Sequence, residues 1–190
     1  MISERKLKMG AGAIQQQNLF LQRLKAIFDQ IPVPTKLEEP TPEAPTTALL
    51  VGFDAVGKYN NFVQMEFSFV MDPELFVADN LAILQTFATI RKDVDVRRLS
   101  DLHWLIGQIN NYMPLGYFGI MDTDRTIYMK ANTLFVGELV TDQHIRHIDH
   151  QTGLVFYSIN LFYDLIGLVA DGKADAREAW EQFDFTVIGE

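Results

Sequence analysis

Between Ile14 and Ile31 the apolar residues Ile14, Phe20, Leu21, Leu24, Ile27, Phe28 and Ile31 line one side of a helix. Gln15, Gln17, Gln22, Arg23 and Asp29 lie off that stripe. Pro32 ends the helix. The segment 32–45, PVPTKLEEPTPEAP, holds five of the seven prolines and reads as an extended, stiff spacer. Residues 46–55 read as a strand and Gly57-Lys58 as a turn. Val63, Met65, Phe67, Phe69 and Met71 then alternate with Gln64, Glu66 and Ser68, the period of a strand with one wet face. Asp72-Pro73-Glu74 begins a loop or opens a helix. Leu81 to Ile90 is apolar on both faces and rich in Ile, Phe and Thr, which fits a central strand, with a helix as the alternative.

Downstream the period changes. Leu99, Leu102, Ile106, Ile109 and Met113 are spaced by three and four, which predicts a helix over 95–112 ending before Pro114. Tyr117–Met121 and Thr126–Phe135 form a hairpin around Asp122-Thr123-Asp124-Arg125. Thr141 is placed to cap a long helix whose stripe runs Ile145, Ile148, Thr152, Val155, Ile159, Phe162, Ile166 and Val169. Its later turns are apolar almost all round, which predicts burial in the core or in a subunit interface. Asp171-Gly172 stops it, and a short helix over 174–182 carries Trp180.

The order α-β-β-β-α-β-β-α defines an α+β class, with an antiparallel sheet and helices packed on one face. It divides the chain into a tail and amphipathic helix (1–31), a Pro-rich linker (32–45) and an α+β domain (46–190). A linker of that reach lets helix 14–31 dock far from residue 46, including on another subunit. Leu21, Leu24 and Phe28 are therefore candidate protein-binding residues. Phe62 and Val70 join them, being apolar residues on the otherwise polar face of their strand.

Composition narrows the picture. At 190 residues and 48% hydrophobic, the chain fills one core. The formal net charge of -9 is uneven: residues 1–36 hold six Lys/Arg against two acids, the remainder ten against 23. So acidic a body repels phosphate backbones, so no nucleic-acid partner is expected. The absence of cysteine excludes disulfides, thiol catalysis and Cys-ligated zinc. MISERKLKMG is basic but no apolar stretch follows it, unlike a signal peptide. The most apolar run, Leu154 to Ala170, is interrupted by Asn160 and Asp164 and falls short of the ~20 residues of a membrane span. The expectation is a cytoplasmic protein without a membrane partner.

Each chemical motif competes with a plainer reading. Gly52 to Lys58 has the G-x4-G-K spacing of a phosphate loop, but Tyr59 stands where a hydroxyl must meet Mg²⁺, and a strand follows instead of a helix. Gly57 as a turn residue explains it. His144, His147 and His150, with Asp142 and Asp149, cluster at the start of the long helix at spacings that suit zinc or nickel. Three residues at i, i+3 and i+6 fan out too widely to meet one ion, leaving His144 and His147 as the metal candidates against a wet first turn. His103 sits at the margin of its helix's apolar stripe. Asp93-x-Asp95 reads as a helix start and Asp122-x-Asp124 as a hairpin turn. No serine stands in G-x-S-x-G. No catalytic residue and no cofactor are expected.

The element order and the segment NNYMPLGYFGI (Asn110 to Ile120), with IYMKANTLF in the following strand, resemble the YbjN-like proteins and, more distantly, the type III secretion chaperones. The resemblance covers roughly residues 46–170 and rests on the signature Asn110, Pro114, Leu115, Gly116, Phe118 and Gly119. It implies dimers that bind extended protein segments, with no cofactor and no reaction. The expectation is a non-enzymatic protein-interaction module, chaperone-like or a regulatory adaptor, forming a homodimer. The alternatives are a metal or small-ligand sensor using the histidine cluster and an enzyme of unrecognised type.

Overall fold

A computed structural model describes residues 2–42, 46–70 and 81–188. The expected loop at Asp72-Pro73-Glu74, Met71 before it and residues 43–45 of the Pro-rich segment lie outside these. The described elements are α1 (Ile2–Phe28), β1 (Thr35–Glu38), β2 (Ala48–Val56), β3 (Asn61–Phe69), β4 (Leu81–Arg91), α2 (Leu99–Asn110), β5 (Tyr117–Met121), β6 (Thr126–Val136), α3 (Asp142–Ala170) and α4 (Ala176–Glu181). Short 3₁₀ turns precede α2 and follow α4. The strands form one antiparallel sheet in the order β1-β2-β3-β4-β6-β5, an α+β architecture.

The period-two pattern decides which face of the sheet is buried. Met65 pairs with Ala88, Phe67 with Thr86 and Phe69 with Leu84; Leu84 then pairs with Thr133 and Ala82 with Phe135. All of these point to one side and are buried. The helices cover that side. Phe20 of α1 packs edge-on against Phe69 and tilts over Phe135, and Phe28 meets Phe53 and Phe67. From α3, Phe156 packs on Phe53, and Phe162 meets Phe118 of β5.

Two expectations about the N-terminal third are corrected. The Pro-rich segment is not only a spacer, because Thr35–Glu38 pairs with Ala48–Val51 as the first strand of the sheet. Pro34 and Pro40 sit where a strand tolerates them, on a sheet edge and outside the paired residues. Nor does the first helix wait for another subunit. It begins at Ile2, well before Ile14, and docks on its own sheet, burying Leu21, Leu24 and Phe28 in the core of the same chain. Those three residues are therefore core residues and present no surface to a partner. Burying each stabilises by roughly 1.5–3 kcal/mol. After Phe28 the chain turns, and Asp29 fixes the turn by accepting hydrogen bonds from Lys25 and from the Thr35 hydroxyl at the start of β1.

The long helix keeps its expected limits, capped by Thr141 and ended at Asp171, but its length corrects the reading that it falls short of a membrane span. α3 has 29 residues, and by length and composition alone it is apolar enough to cross a membrane. Its stripe from Ile145 to Val169 is buried against the sheet and the flanking helices. The two polar residues that interrupt its apolar run have a structural task. Asn160 Oδ1 accepts from the Gly57 amide at 2.8 Å, and Asp164 Oδ2 accepts from the Lys58 amide at 2.7 Å. They tie the β2–β3 turn to the helix. Gly57 has φ +67°, and an added Cβ would stand 2.6 Å from the Asp164 carboxylate, so this turn requires glycine.

Candidate interaction surface

The other face of the sheet carries the residues of opposite parity, and the described helices leave it bare. Phe62, Val70, Leu134 and Val136 are 54%, 49%, 58% and 65% exposed. Leu81, Ile83, Phe87 and Tyr128 are half-buried beside them. Register brings most of these together. The Val70 amide donates to the Ile83 carbonyl, Ile83 pairs with Leu134, and Leu81 pairs with Val136. Five aliphatic side chains thus adjoin across β3, β4 and β6 at one end of the sheet. Ser68, Gln85 and Asn132 make a polar row next to them.

At the far end Phe87 stacks on Tyr128, and Tyr117 meets Tyr128 edge-on. Tyr128 lies across Gly119, its partner in the ladder, where a Cβ would come 2.5 Å from the ring. Burial, and then the neighbouring Tyr117 hydroxyl, push the Tyr128 phenol above its ordinary pKa. Phe62 caps the β2 side, covering Gly52 together with Pro34.

Charge on this face is sparse, and exposed Asp54 lies on its parity in β2 beyond the regular ladder. Its paired rows carry Lys36, Glu38, Glu66 and Lys130, two cations and two anions, on a chain of net charge -9. Lys36 pairs with Glu38 at 2.9 Å, and Glu66 accepts from the Ser68 hydroxyl.

Of the residues singled out in the sequence, Phe62 and Val70 belong to this surface. Leu134, Val136 and Tyr117 were missed, although the signal was present: all three stand on the polar parity of the hairpin strands. The segment from Asn110 to Gly119 has a structural task. The Asn110 side chain accepts from the Phe118 amide and donates to the Phe118 carbonyl, holding β5 to the end of α2. Gly116, at φ +72°, passes so near the Lys130 carbonyl that no Cβ would fit.

The histidine cluster does not assemble. His144 rests on Phe135 with its Nδ1 3.0 Å from the Leu139 carbonyl, while His147 and His150 are exposed on α3. Among the described residues no three His, Asp or Glu side chains are grouped to hold a metal ion. His103 is exposed, 3.9 Å from Asp122. Asp95 caps the turn before α2, and its bonds with Arg97 hold its carboxyl down to about 2. Asp124 accepts from the Thr126 amide within the hairpin turn. The G-x4-G-K segment is the turn tied to α3, not a phosphate cradle.

Clefts of about 380 and 710 Å³ flank that turn, and Asp164 lines both. Their acidic groups are engaged: Asp164 with the Lys58 amide, Asp184 with Thr186, and Asp171 with Lys173 and Arg91, which together hold the Asp171 carboxyl below its usual range.

These features define an α+β protein with a helix-covered sheet face and an opposite face, rich in apolar side chains, that the described helices leave uncovered. No family model and no curated protein matches this chain.

Proposed function

We propose that this chain is a non-enzymatic protein-interaction module, a chaperone-like or adaptor protein, and that the bare sheet face is its contact surface. The observation that carries this reading is the adjoining aliphatic cluster of Val70, Leu81, Ile83, Leu134 and Val136, of which Val70, Leu134 and Val136 are about half exposed or more. Contiguous apolar surface of this kind marks association sites on proteins. The resemblance to YbjN-like proteins and secretion chaperones supports the same reading. So do the carboxylates around the two clefts, Asp164, Asp171 and Asp184, each of which is engaged by groups of the same chain.

A photo-reactive amino acid at position 134 tests it. The expected result is cross-linking to protein from that site and not from Tyr59, which is exposed on the β2–β3 turn. Equal or absent cross-linking at the two positions removes the reading.

A further inference from the structure

We infer that the two clefts beside the β2–β3 turn form one binding site for a single-chain aliphatic carboxylate, with the head in the smaller cleft and the chain in the larger. The site lies on the helix side of the molecule, so it stands independently of the bare sheet face.

The clefts adjoin, because Lys58, Asp164 and Leu168 line both. Their characters differ. The smaller, of about 380 Å³, gathers Lys58, Arg91 and Lys173 from the β2–β3 turn, the end of β4 and the turn after α3. The larger, of about 710 Å³, is walled by Leu161, Leu165 and Leu168 of α3 and by Ala174, Ala179 and Phe183. An apolar concavity of this size with a few polar groups at one end is the usual form of a small-molecule site. Backbone shape points the same way. β2 bulges between Phe53 and Val56, and Ala55 holds φ +65°, a left-handed conformation that is strained for a residue with a Cβ. Ala55 lines the larger cleft, and the anchored turn that follows holds Lys58 between the two.

Charge decides which end receives the head. The smaller cleft holds three cations against Asp164 and Asp171, a surplus of one positive charge on a chain of net charge -9. Its carboxylates are turned to groups of the chain: Asp171 to Arg91 and Lys173, Asp164 to the Lys58 amide. The Lys58 ammonium has no partner among the described residues. Arg91 gives one amino group to Asp171, and its other lies over Gly167. Burial pushes the Tyr163 phenol above its ordinary pKa, so at neutral pH it is a donor in the same cleft. The last carbonyls of α3 already accept from the amides of Asp171, Gly172 and Lys173. The larger cleft adds one charge beyond the shared residues, Asp184, which accepts from the Thr186 amide and hydroxyl. An anionic head is therefore favoured in the smaller cleft and opposed in the larger. A surplus of one suits a carboxylate better than a phosphate monoester, which brings about -1.5 to -2.

The test uses the full chain and sodium decanoate as the probe. Isothermal titration calorimetry is expected to show one saturable site per chain. From hexanoate through octanoate to decanoate, affinity should rise about fourfold per added methylene. Decanol, with the same chain and no charge, should bind about tenfold more weakly than decanoate, and decyl phosphate should not exceed decanoate. Lys58→Gln keeps the backbone bond to Asp164 and is expected to weaken decanoate about threefold while leaving decanol and the melting temperature unchanged. Leu168→Gln, at an exposed position shared by both clefts, should weaken decanoate and decanol alike. Leu134→Gln, on the bare sheet face, should change neither.

No saturable binding of decanoate overturns the inference. So does binding that is lost in Leu134→Gln and kept in Lys58→Gln and Leu168→Gln, which places the amphiphile on the sheet face. Equal affinity for decanoate and decanol, or tighter binding of decyl phosphate, overturns the carboxylate head. None of these outcomes alters cross-linking from position 134, so the ligand site and the interaction surface fail separately.

Discussion

Replacing Phe20 with alanine tests whether the first helix belongs to the core of its own chain. The side chain is fully buried, with ring centroids 5.7 Å from Phe69 and 5.3 Å from Phe135. Truncating a buried phenylalanine costs about 3–5 kcal/mol, from lost transfer energy plus the cavity left behind. Total stability for a domain is about 5–15 kcal/mol, so the loss is a large share of it. At about 2–4 °C per kcal/mol for a chain of this size, the midpoint should fall by roughly 6–20 °C. Urea unfolding followed by circular dichroism checks this, with a single transition and an unchanged slope. Ile14→Ala, on the exposed side of the same helix, is the control and should move stability by less than about 0.5 kcal/mol. A cost for Phe20→Ala below about 1 kcal/mol would falsify the docking of α1. So would a separate early transition for the helix while the sheet stayed intact. Deleting residues 1–45 is expected to leave a body that no longer unfolds cooperatively, since it loses Phe20, Leu21, Leu24, Phe28 and β1 together.

Asn160→Ala and Asp164→Ala each remove one anchor of the β2–β3 turn and should cost about 1 kcal/mol apiece, read from urea midpoints. Asp95 should make stability fall in acid. Its folded-state pKa of about 2 lies below the ordinary carboxylate value of 3.8, so its contribution is complete above the higher value and lost as pH drops through the lower one. Asp29, Asp171 and Asp184 are shifted the same way, so Asp95→Asn should reduce but not abolish the decline. Finally, zinc or nickel should move the melting temperature of the parent and of the His144→Ala, His147→Ala double variant equally. A stabilisation seen in the parent alone would restore the histidine cluster as a site.

Most elements were legible because burial imposed a clean period. α2 and α3 follow from spacings of three and four, and the β5–β6 hairpin from its Asp-rich turn. β1 was hidden by prolines. Val33, Thr35 and Leu37 do alternate with Pro34, Lys36 and Glu38, but a stretch with five prolines reads as a spacer. The stripe on α1 was legible, yet its destination was not. Periodicity shows that Leu21, Leu24 and Phe28 face an apolar surface, and it is silent on which surface that is. The interaction face was half visible. Phe62 and Val70 broke the polarity of their strand, whereas Leu134 and Val136 passed as ordinary residues of an apolar strand. Only register with Ile83 and Leu81 collects them into one cluster.

The packing of Phe20 against Phe135 carries a consequence for the birth of the molecule. The first helix leaves the ribosome with its apolar side ready, but the last strand it must rest on is made 115 residues later. At about 5–20 residues per second, that interval is roughly 6–23 s. Throughout it, a sticky helix waits beside an unfinished sheet. Synthesis speed and nascent-chain binding factors therefore bear on this protein's yield as directly as its final stability does.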